Sequence, residues 1–295
     1  MTAEQRTPLP GKSFVLVKYL VSAGLGSRRT CASLIVNGFV TVNEIRAESL
    51  MMLVSPDDRI KVEGRTIEAR RTGHVYLLLN KPDGYLSSTS DDRGRHTVME
   101  LVPRALRLSG LVPAGRLDLH STGLLLLTDD GELVNRVTHP RYGVDKEYHI
   151  KLDGVLNPTS SARLRSGVEI ESGLAKAKAV RRVTEQAGFR YLLTLNEGKK
   201  REVRLMLRAV GRHVIELCRV RLGPLSLGEL ANGGVRELTD MELNEIRKQV
   251  GLNPSTVRRP QRTPGNQASL NGGSYGPKRR GRSMGSNRGV RRDRK

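Results

Sequence analysis

Tryptophan is absent from this chain, and aromatic residues make up only 3% of it. That argues against a broad stacking platform for single-stranded nucleic acid, which needs several exposed rings. Cysteine is nearly absent as well. Cys31 and Cys218 stand far apart and form no CxxC, so neither a disulfide framework nor a cysteine-rich zinc site is indicated. Both are expected to serve as small buried apolar residues. The six histidines show no HExxH spacing, so no metal is expected. Gly11-Lys12-Ser13 would need a glycine at position 6 to make a phosphate loop and has Arg6 there; Gly198-Lys199-Lys200 fails similarly. No cofactor is expected. No apolar run approaches the ~20 residues of a membrane helix. Residues 1–13 are polar and proline-punctuated, without the apolar segment of a signal peptide. A cytoplasmic chain with no membrane partner is expected.

Positive charge is abundant. Lys and Arg total 51 against 30 Asp and Glu, a net charge of +21. Such an excess points to a polyanionic partner, nucleic acid or an acidic membrane surface. Residues 251–295 hold twelve basic residues and a single acid, Asp293, yet the rest of the chain is also net basic. This last stretch is rich in Gly, Ser, Asn, Pro and Arg and poor in core formers. It reads as a disordered basic tail, either contacting RNA without specificity or simply solubilising the protein.

A length of 295 residues suggests two domains. Residues 1–12 read as a flexible leader. Apolar spacing predicts a helix from Ser13 to Ala23, ended by Gly24, and a second helix opened by Ser27 as N-cap, with Cys31, Leu34 and Ile35 on one face. Phe39–Asn43 and Ile60–Val62 read as strands. This unit spans 13–70. A second domain, 74–250, begins with the apolar run Val75–Leu79. Strands are expected at Gly123–Thr128, around Tyr148-Ile150-Leu152, at Phe189–Leu195 and at His213–Leu222. Arg201–Val210 reads as a helix, and Thr239 with Glu242 as the capping box of a last one. Many strands with few helices indicate an α+β protein with a mostly antiparallel sheet.

The densest pattern is Gly115-Arg116-Leu117-Asp118-Leu119-His120-Ser121-Thr122-Gly123, followed directly by Leu124 to Leu127. It sets one acidic residue in a glycine-flanked turn at the mouth of a buried strand. Asp in such a turn is commonly a turn former; a carboxylate fixed there also suits chemistry on a rigid scaffold. The residues alone leave both readings open. The string GRLDLHSTGLLLLTDDG resembles the catalytic signature of the RsuA family of ribosomal RNA pseudouridine synthases. Leu79-Asn80-Lys81-Pro82-Asp83-Gly84 resembles that family's first motif, Lys146-Glu147-Tyr148 its active-site tyrosine segment, and Gly198-Lys199-Lys200-Arg201-Glu202-Val203-Arg204 its third motif. Gly24-Leu25-Gly26-Ser27-Arg28-Arg29, with Ile35, Asn37-Gly38 and Val40-Thr41-Val42-Asn43, resembles the S-four RNA-binding domain.

The resemblance implies a small helix-helix-strand RNA-binding domain followed by a catalytic domain with a mixed, mostly antiparallel central sheet and an active-site cleft. It implies isomerisation of uridine to pseudouridine, which moves ribose from nitrogen 1 to carbon 5 of the same base without cofactor or metal. The target base lies in a stack, so it must be flipped out. By resemblance Asp118 is the carboxylate that acts on the ribose, attacking carbon 1 or removing the carbon-2 proton. Arg204 pairs with it. Tyr148 packs on the uracil and assists removal of the carbon-5 proton; residues alone would make it an ordinary inward-facing strand tyrosine. Arg116 helps to hold the flipped state, or else contacts a phosphate or a surface acid. Ser27, Arg28, Arg29, Lys81, Lys199 and Arg201 are expected to bind RNA. Arg28 and Arg29 open a helix, where cations oppose the macrodipole by a few tenths of a kcal/mol; RNA phosphate would offset that, although a solvated face would look the same.

Two residues depart from the family. Glu44 stands at a usual turn glycine, implying a weaker local RNA contact, and Leu205 stands where relatives often carry a second basic residue. The expected partner is ribosomal RNA or a ribosome-assembly intermediate, met by a monomer. The segment from Leu101 to Gly115 and the basic tail look more like the large-subunit members. A small-subunit enzyme and a noncatalytic ribosome-assembly RNA-binding protein are the alternatives. The combined Asp118, Tyr148 and Arg204 argues against the second.

Overall fold

The computed structural model describes residues 14–55, 57–67, 74–107, 110–183 and 189–254. The expected leader, and all of the expected tail beyond residue 254, lie outside the described residues. Residues 14–67 form β1 (Phe14–Val15), α1 (Leu16–Ser22), α2 (Arg28–Val36), β2 (Val40–Val42), β3 (Ile45–Arg46), β4 (Leu53–Val54), β5 (Ile60–Val62) and β6 (Arg65–Ile67). The first helix starts later than its periodicity suggests, because Phe14 and Val15 pair antiparallel with Val54 and Leu53. Ser27 caps α2 as expected, its Oγ accepting the Thr30 N–H at 3.1 Å. Leu16 and Leu20 of α1 and Cys31 and Ile35 of α2 pack with Val40 and Ile60 of the small sheet, whose order is β3-β2-β5-β6. Asn43 and Glu44 turn β2 into β3 with φ of 51° and 67°. Glycine suits such a double left-handed turn. Glu44 occupies it while its carboxylate meets Lys61 Nζ at 2.6 Å, so its charge is countered from the neighbouring strand β5.

Residues 74–254 build β7 (Tyr76–Lys81), β8 (Val112–Pro113), β9 (Thr122–Thr128), α3 (Gly131–Thr138), β10 (Lys146–Leu152), α4 (Pro158–Ser166), β11 (Val168–Ile170), β12 (Gly173–Ala175), β13 (Ala179–Val183), β14 (Phe189–Leu195), α5 (Glu202–Ala209), β15 (Val214–Leu222), β16 (Leu225–Ser226), β17 (Val235–Glu237) and α6 (Asp240–Gln249). The main sheet runs β13-β14-β10-β15-β9-β7-β17, with β8 added on β9 and β16 on β15. Among the described residues every pairing in it is antiparallel except β9 with β15. The sheet is therefore mixed and mostly antiparallel. Leu77, Leu79, Leu125 and Leu127 pack on one face with α5, and Tyr76, Leu78, Leu124 and Leu126 on the other with α3 and α6. A sheet covered on both faces explains why Leu124 to Leu127 is an unbroken apolar run rather than an alternation.

One glycine sets the approach of the central strands. A Cβ on Gly123 would lie 2.3 Å from the Arg219 carbonyl oxygen, so only glycine lets β9 approach β15 at this register. At the far end, the capping box opens α6, with the Thr239 N–H donating to Glu242 Oε2 at 2.9 Å. The chain past α6 is still tied down: Leu252 N–H donates to the Arg247 carbonyl at 2.8 Å, and Arg136 donates to the Gly251 carbonyl at 2.8 Å. Residues 251 and 252 thus close the last helix rather than opening a tail.

Candidate active site

Asp118 lies half-buried in the loop between β8 and β9. Nearly every backbone group around it is held. Ser87 Oγ donates to the Leu117 carbonyl and accepts its N–H, both at 3.0 Å. Gly84 N–H donates to the Leu119 carbonyl at 3.1 Å, and Ser121 N–H to the Asp118 carbonyl at 3.0 Å. Lys81 Nζ donates to the Leu119 carbonyl at 3.0 Å, to Ser121 at 2.7 Å and to Pro82 at 3.0 Å. The expectation that Lys81 binds RNA is therefore corrected. Strand alternation sends it to the same face as Leu77 and Leu79, where it is 0% exposed. Burial draws its ammonium down to about 8 against the fields of Asp83 and Asp118. Its work is to clamp the Asp118 loop from below.

Arg204 reaches the same loop from α5. Its Nη2 donates to the His120 carbonyl at 2.8 Å and its Nη1 to the Val214 carbonyl at 3.3 Å. Burial, and then neighbouring Arg201, lower its pKa, while Asp118 and Asp83 raise it. The two charges feel each other, but the expected ion pair is not formed, because the guanidinium is directed at carbonyls. Among the described residues the Asp118 carboxylate has no hydrogen-bond or ion-pair partner, and it faces an open cleft of about 590 Å³.

Arg116, Ser121, Lys146, Tyr148, Lys199, Lys200, Arg201, Glu202 and Arg219 also line this cleft. Tyr148 of β10 stands opposite Arg219 of β15 in the antiparallel register. Burial pushes the Tyr148 hydroxyl above the ordinary phenol range, and Arg219 pulls it back. Burial, and then Arg219, lower Lys146. Glu202 is pushed up to about 7 by burial and by the neighbouring Glu197 carboxyl. Among the described residues four buried side-chain atoms lack a hydrogen-bond partner; three of them, Ser121 Oγ, Glu202 Oε1 and Arg219 Nη2, belong to residues of this cleft. Unsatisfied polar atoms are costly and collect where function uses them.

The other expected residues divide. Arg116 and Arg201 are exposed at the rim, and Arg201 precedes α5 in a left-handed conformation with φ of 54°. Lys199 is half-buried, its Nζ paired with Glu197 at 3.1 Å. Ser27, Arg28 and Arg29 are exposed on the first unit and do not line the cleft; Ser27 Oγ is engaged by Thr30. A second groove of about 570 Å³ shares Lys200 and Arg201 with the cleft and adds Arg204, Arg208 and His213, with Glu171 as its acid. Sequence reasoning missed Lys146, Glu202 and Arg219. A signal for Arg219 existed: it follows Leu217 at the inward period of β15, an unusual place for arginine. Among the described residues no His, Cys, Asp or Glu group could hold a metal ion, and no helix is long and apolar enough to cross a membrane.

Comparison with known proteins places this geometry in a family. The RNA pseudouridylate synthase family model matches residues 75–209, and the S4 domain model matches residues 16–60. An uncharacterized RNA pseudouridine synthase of Aquifex aeolicus is 39% identical over 238 residues, covering 80% of this chain and 94% of that protein. Ribosomal large subunit pseudouridine synthase B of Bacillus subtilis is 38% identical over 238 residues, covering 79% and 95%. A crystal structure of a pseudouridylate synthase superposes with a TM-score of 0.56 at 28% identity, covering 78% of this chain and 98% of that one.

Proposed function

The chain belongs to the RNA pseudouridine synthases, isomerases that convert uridine to pseudouridine, and from that premise we propose that its substrate is a uridine of large-subunit ribosomal RNA. The Bacillus subtilis relative carries that substrate in its name. The observation that carries the catalytic reading is Asp118: a carboxylate without a partner among the described residues, on a loop clamped by Lys81, Gly84, Ser87 and Arg204. A nucleophile or base is effective when its position is fixed but its oxygen lone pairs remain free.

In this reading the target nucleotide swings out of its stack into the cleft. Asp118 acts on the ribose, whether at carbon 1 or at the carbon-2 proton, and the bond to nitrogen 1 breaks. The freed uracil turns against the Tyr148 ring and presents carbon 5 to the sugar. Tyr148 then takes the proton from carbon 5. Arg204 acts as a clamp on the loop and as a cation beside Asp118. Arg116, Lys200, Arg201 and Arg208 offer phosphate contacts at the rim and along the adjoining groove. Arg28 and Arg29 dock the S4 unit on structured RNA, where shape is read. The reaction belongs in the cytoplasm, with the assembling large subunit.

The test is to map pseudouridines in ribosomal RNA from cells with and without this gene, and in large- and small-subunit RNA treated with the purified protein. A gene-dependent site in large-subunit RNA is expected. A site found only in small-subunit RNA would overturn the substrate assignment.

A further inference from the structure

Arg219 is 3% exposed in the middle of the sheet. Its Nε donates to the Leu124 carbonyl at 2.8 Å, which fixes the guanidinium plane across β9 and β15. Its Nη2 is buried and has no hydrogen-bond partner among the described residues. A buried guanidinium with an idle donor costs stability. A leucine or methionine would fill the same inward strand position without that cost. The residue directly across the register is Tyr148, and both side chains line the cleft that holds Asp118.

Resting on the reading of Tyr148 as the group that takes the carbon-5 proton, we propose that Arg219 is its positioning residue: the guanidinium holds the Tyr148 oxygen toward the cleft and stabilises it as phenolate. Once ribose carbon 1 is bonded to carbon 5, that carbon still bears its proton. The C5–H bond breaks and the proton passes to the phenolate oxygen. The electron pair left behind restores the C5–C6 double bond and moves negative charge to nitrogen 1, which takes a proton from solvent. The phenol returns its own proton to solvent, so one proton leaves carbon 5, one arrives at nitrogen 1, and the net change is zero. Burial opposes the phenolate most, and Glu202 of α5 and Asp118 of the β9 loop oppose it further; Arg219 is the cation that counters them. Lys146, on the same strand as Tyr148, directs its Nζ to the Val144 carbonyl at 2.9 Å.

Single-turnover rates over a range of pH, on uridine-containing RNA with and without deuterium at carbon 5, test this for wild type, Arg219→Gln, Arg219→Lys and Tyr148→Phe. Arg219→Gln is expected to slow the reaction by about tenfold or more, to move the rising limb of its pH profile upward, and to enlarge the deuterium isotope effect. Arg219→Lys should restore most of the rate and the profile. An equal loss at every pH, with an unchanged isotope effect and no rescue by lysine, would overturn the inference and leave Arg219 a packing residue. A Tyr148→Phe enzyme near the wild-type rate would instead overturn the reading of Tyr148 itself. If Arg219→Gln fails to fold, Arg219→Met, which fills the same inward position without a charge, decides in its place: a displaced pH profile with an enlarged isotope effect supports the pairing, and a uniform loss with an unchanged isotope effect refutes it.

Discussion

The Lys81 ammonium donates to the Ser121 carbonyl at 2.7 Å, from beneath the loop that carries Asp118. A charge that looks like an RNA contact in sequence is thus a buried strut. Lys81→Met keeps the length of the side chain but leaves the loop carbonyls without their donor. Each buried polar group so orphaned costs about 1–3 kcal/mol. Urea unfolding should show a loss of that order, and turnover should fall well before RNA affinity does. An unchanged RNA-binding isotherm at low salt would agree with burial; a large loss of affinity at full turnover would contradict it.

Asp118→Asn is close to isosteric and removes only the charge and basicity. Pseudouridine formation should be abolished while RNA binding stays near wild type. Turnover by the purified variant at or above about a tenth of wild type would be incompatible with a nucleophile or base at this position.

Glu202 gives a pH signature. Its pKa in the folded protein is about 7 against an ordinary value of 4.5, so the folded state binds the extra proton between those values. The associated stability is full below the unfolded value and is lost as pH climbs through the folded one. Glu202→Gln should flatten this decline, making the variant more stable than wild type by about 1–3 kcal/mol near pH 8 with little difference near pH 4. Urea midpoints across that interval provide the check. Parallel curves for both proteins would count against a protonated Glu202.

Removing residues 255–295 deletes twelve basic residues and one acid while sparing the hydrogen bonds that close α6. Counterion release then predicts a shallower salt dependence of RNA binding. The saturating rate should change little. Replacing Arg28 and Arg29 with Ala should raise the RNA concentration for half-maximal rate, again with little effect at saturation. Loss of saturating turnover on tail removal would mean that the tail takes part in the chemistry.

Much of this architecture was legible because local chemistry and tertiary context agree. Ser27 caps a helix, Thr239 and Glu242 form a capping box, and Leu124 to Leu127 is a strand covered on both faces. Other elements were passed over. Asn157 and Pro158 carry a sound start signal, an N-cap followed by proline in the first turn, yet α4 is polar and buries only Leu164. The short β11–β12 hairpin and β17 have too few residues for a period to show. At the site, motif resemblance pointed to Asp118, Tyr148, Arg204 and Arg116 but not to Lys146, Glu202 or Arg219. Whether Lys81 faces solvent or core depends on strand phase, and whether Arg204 reaches a carboxylate or carbonyls depends on distances that only the folded chain supplies.

The parallel pairing of β9 with β15 also sets an order of events during synthesis. Arg219 and Leu124 meet although 95 residues separate them, and β15 must insert between β10 and β9. The strands of residues 14–67, by contrast, pair across 40 residues at most, and contacts of shorter range form earlier. A nascent chain ending before Val214 therefore has the S4 unit but an incomplete cleft, without Leu217, Arg219 and Leu222. It should compete for RNA without modifying it, so premature termination yields a silent competitor rather than a weak enzyme.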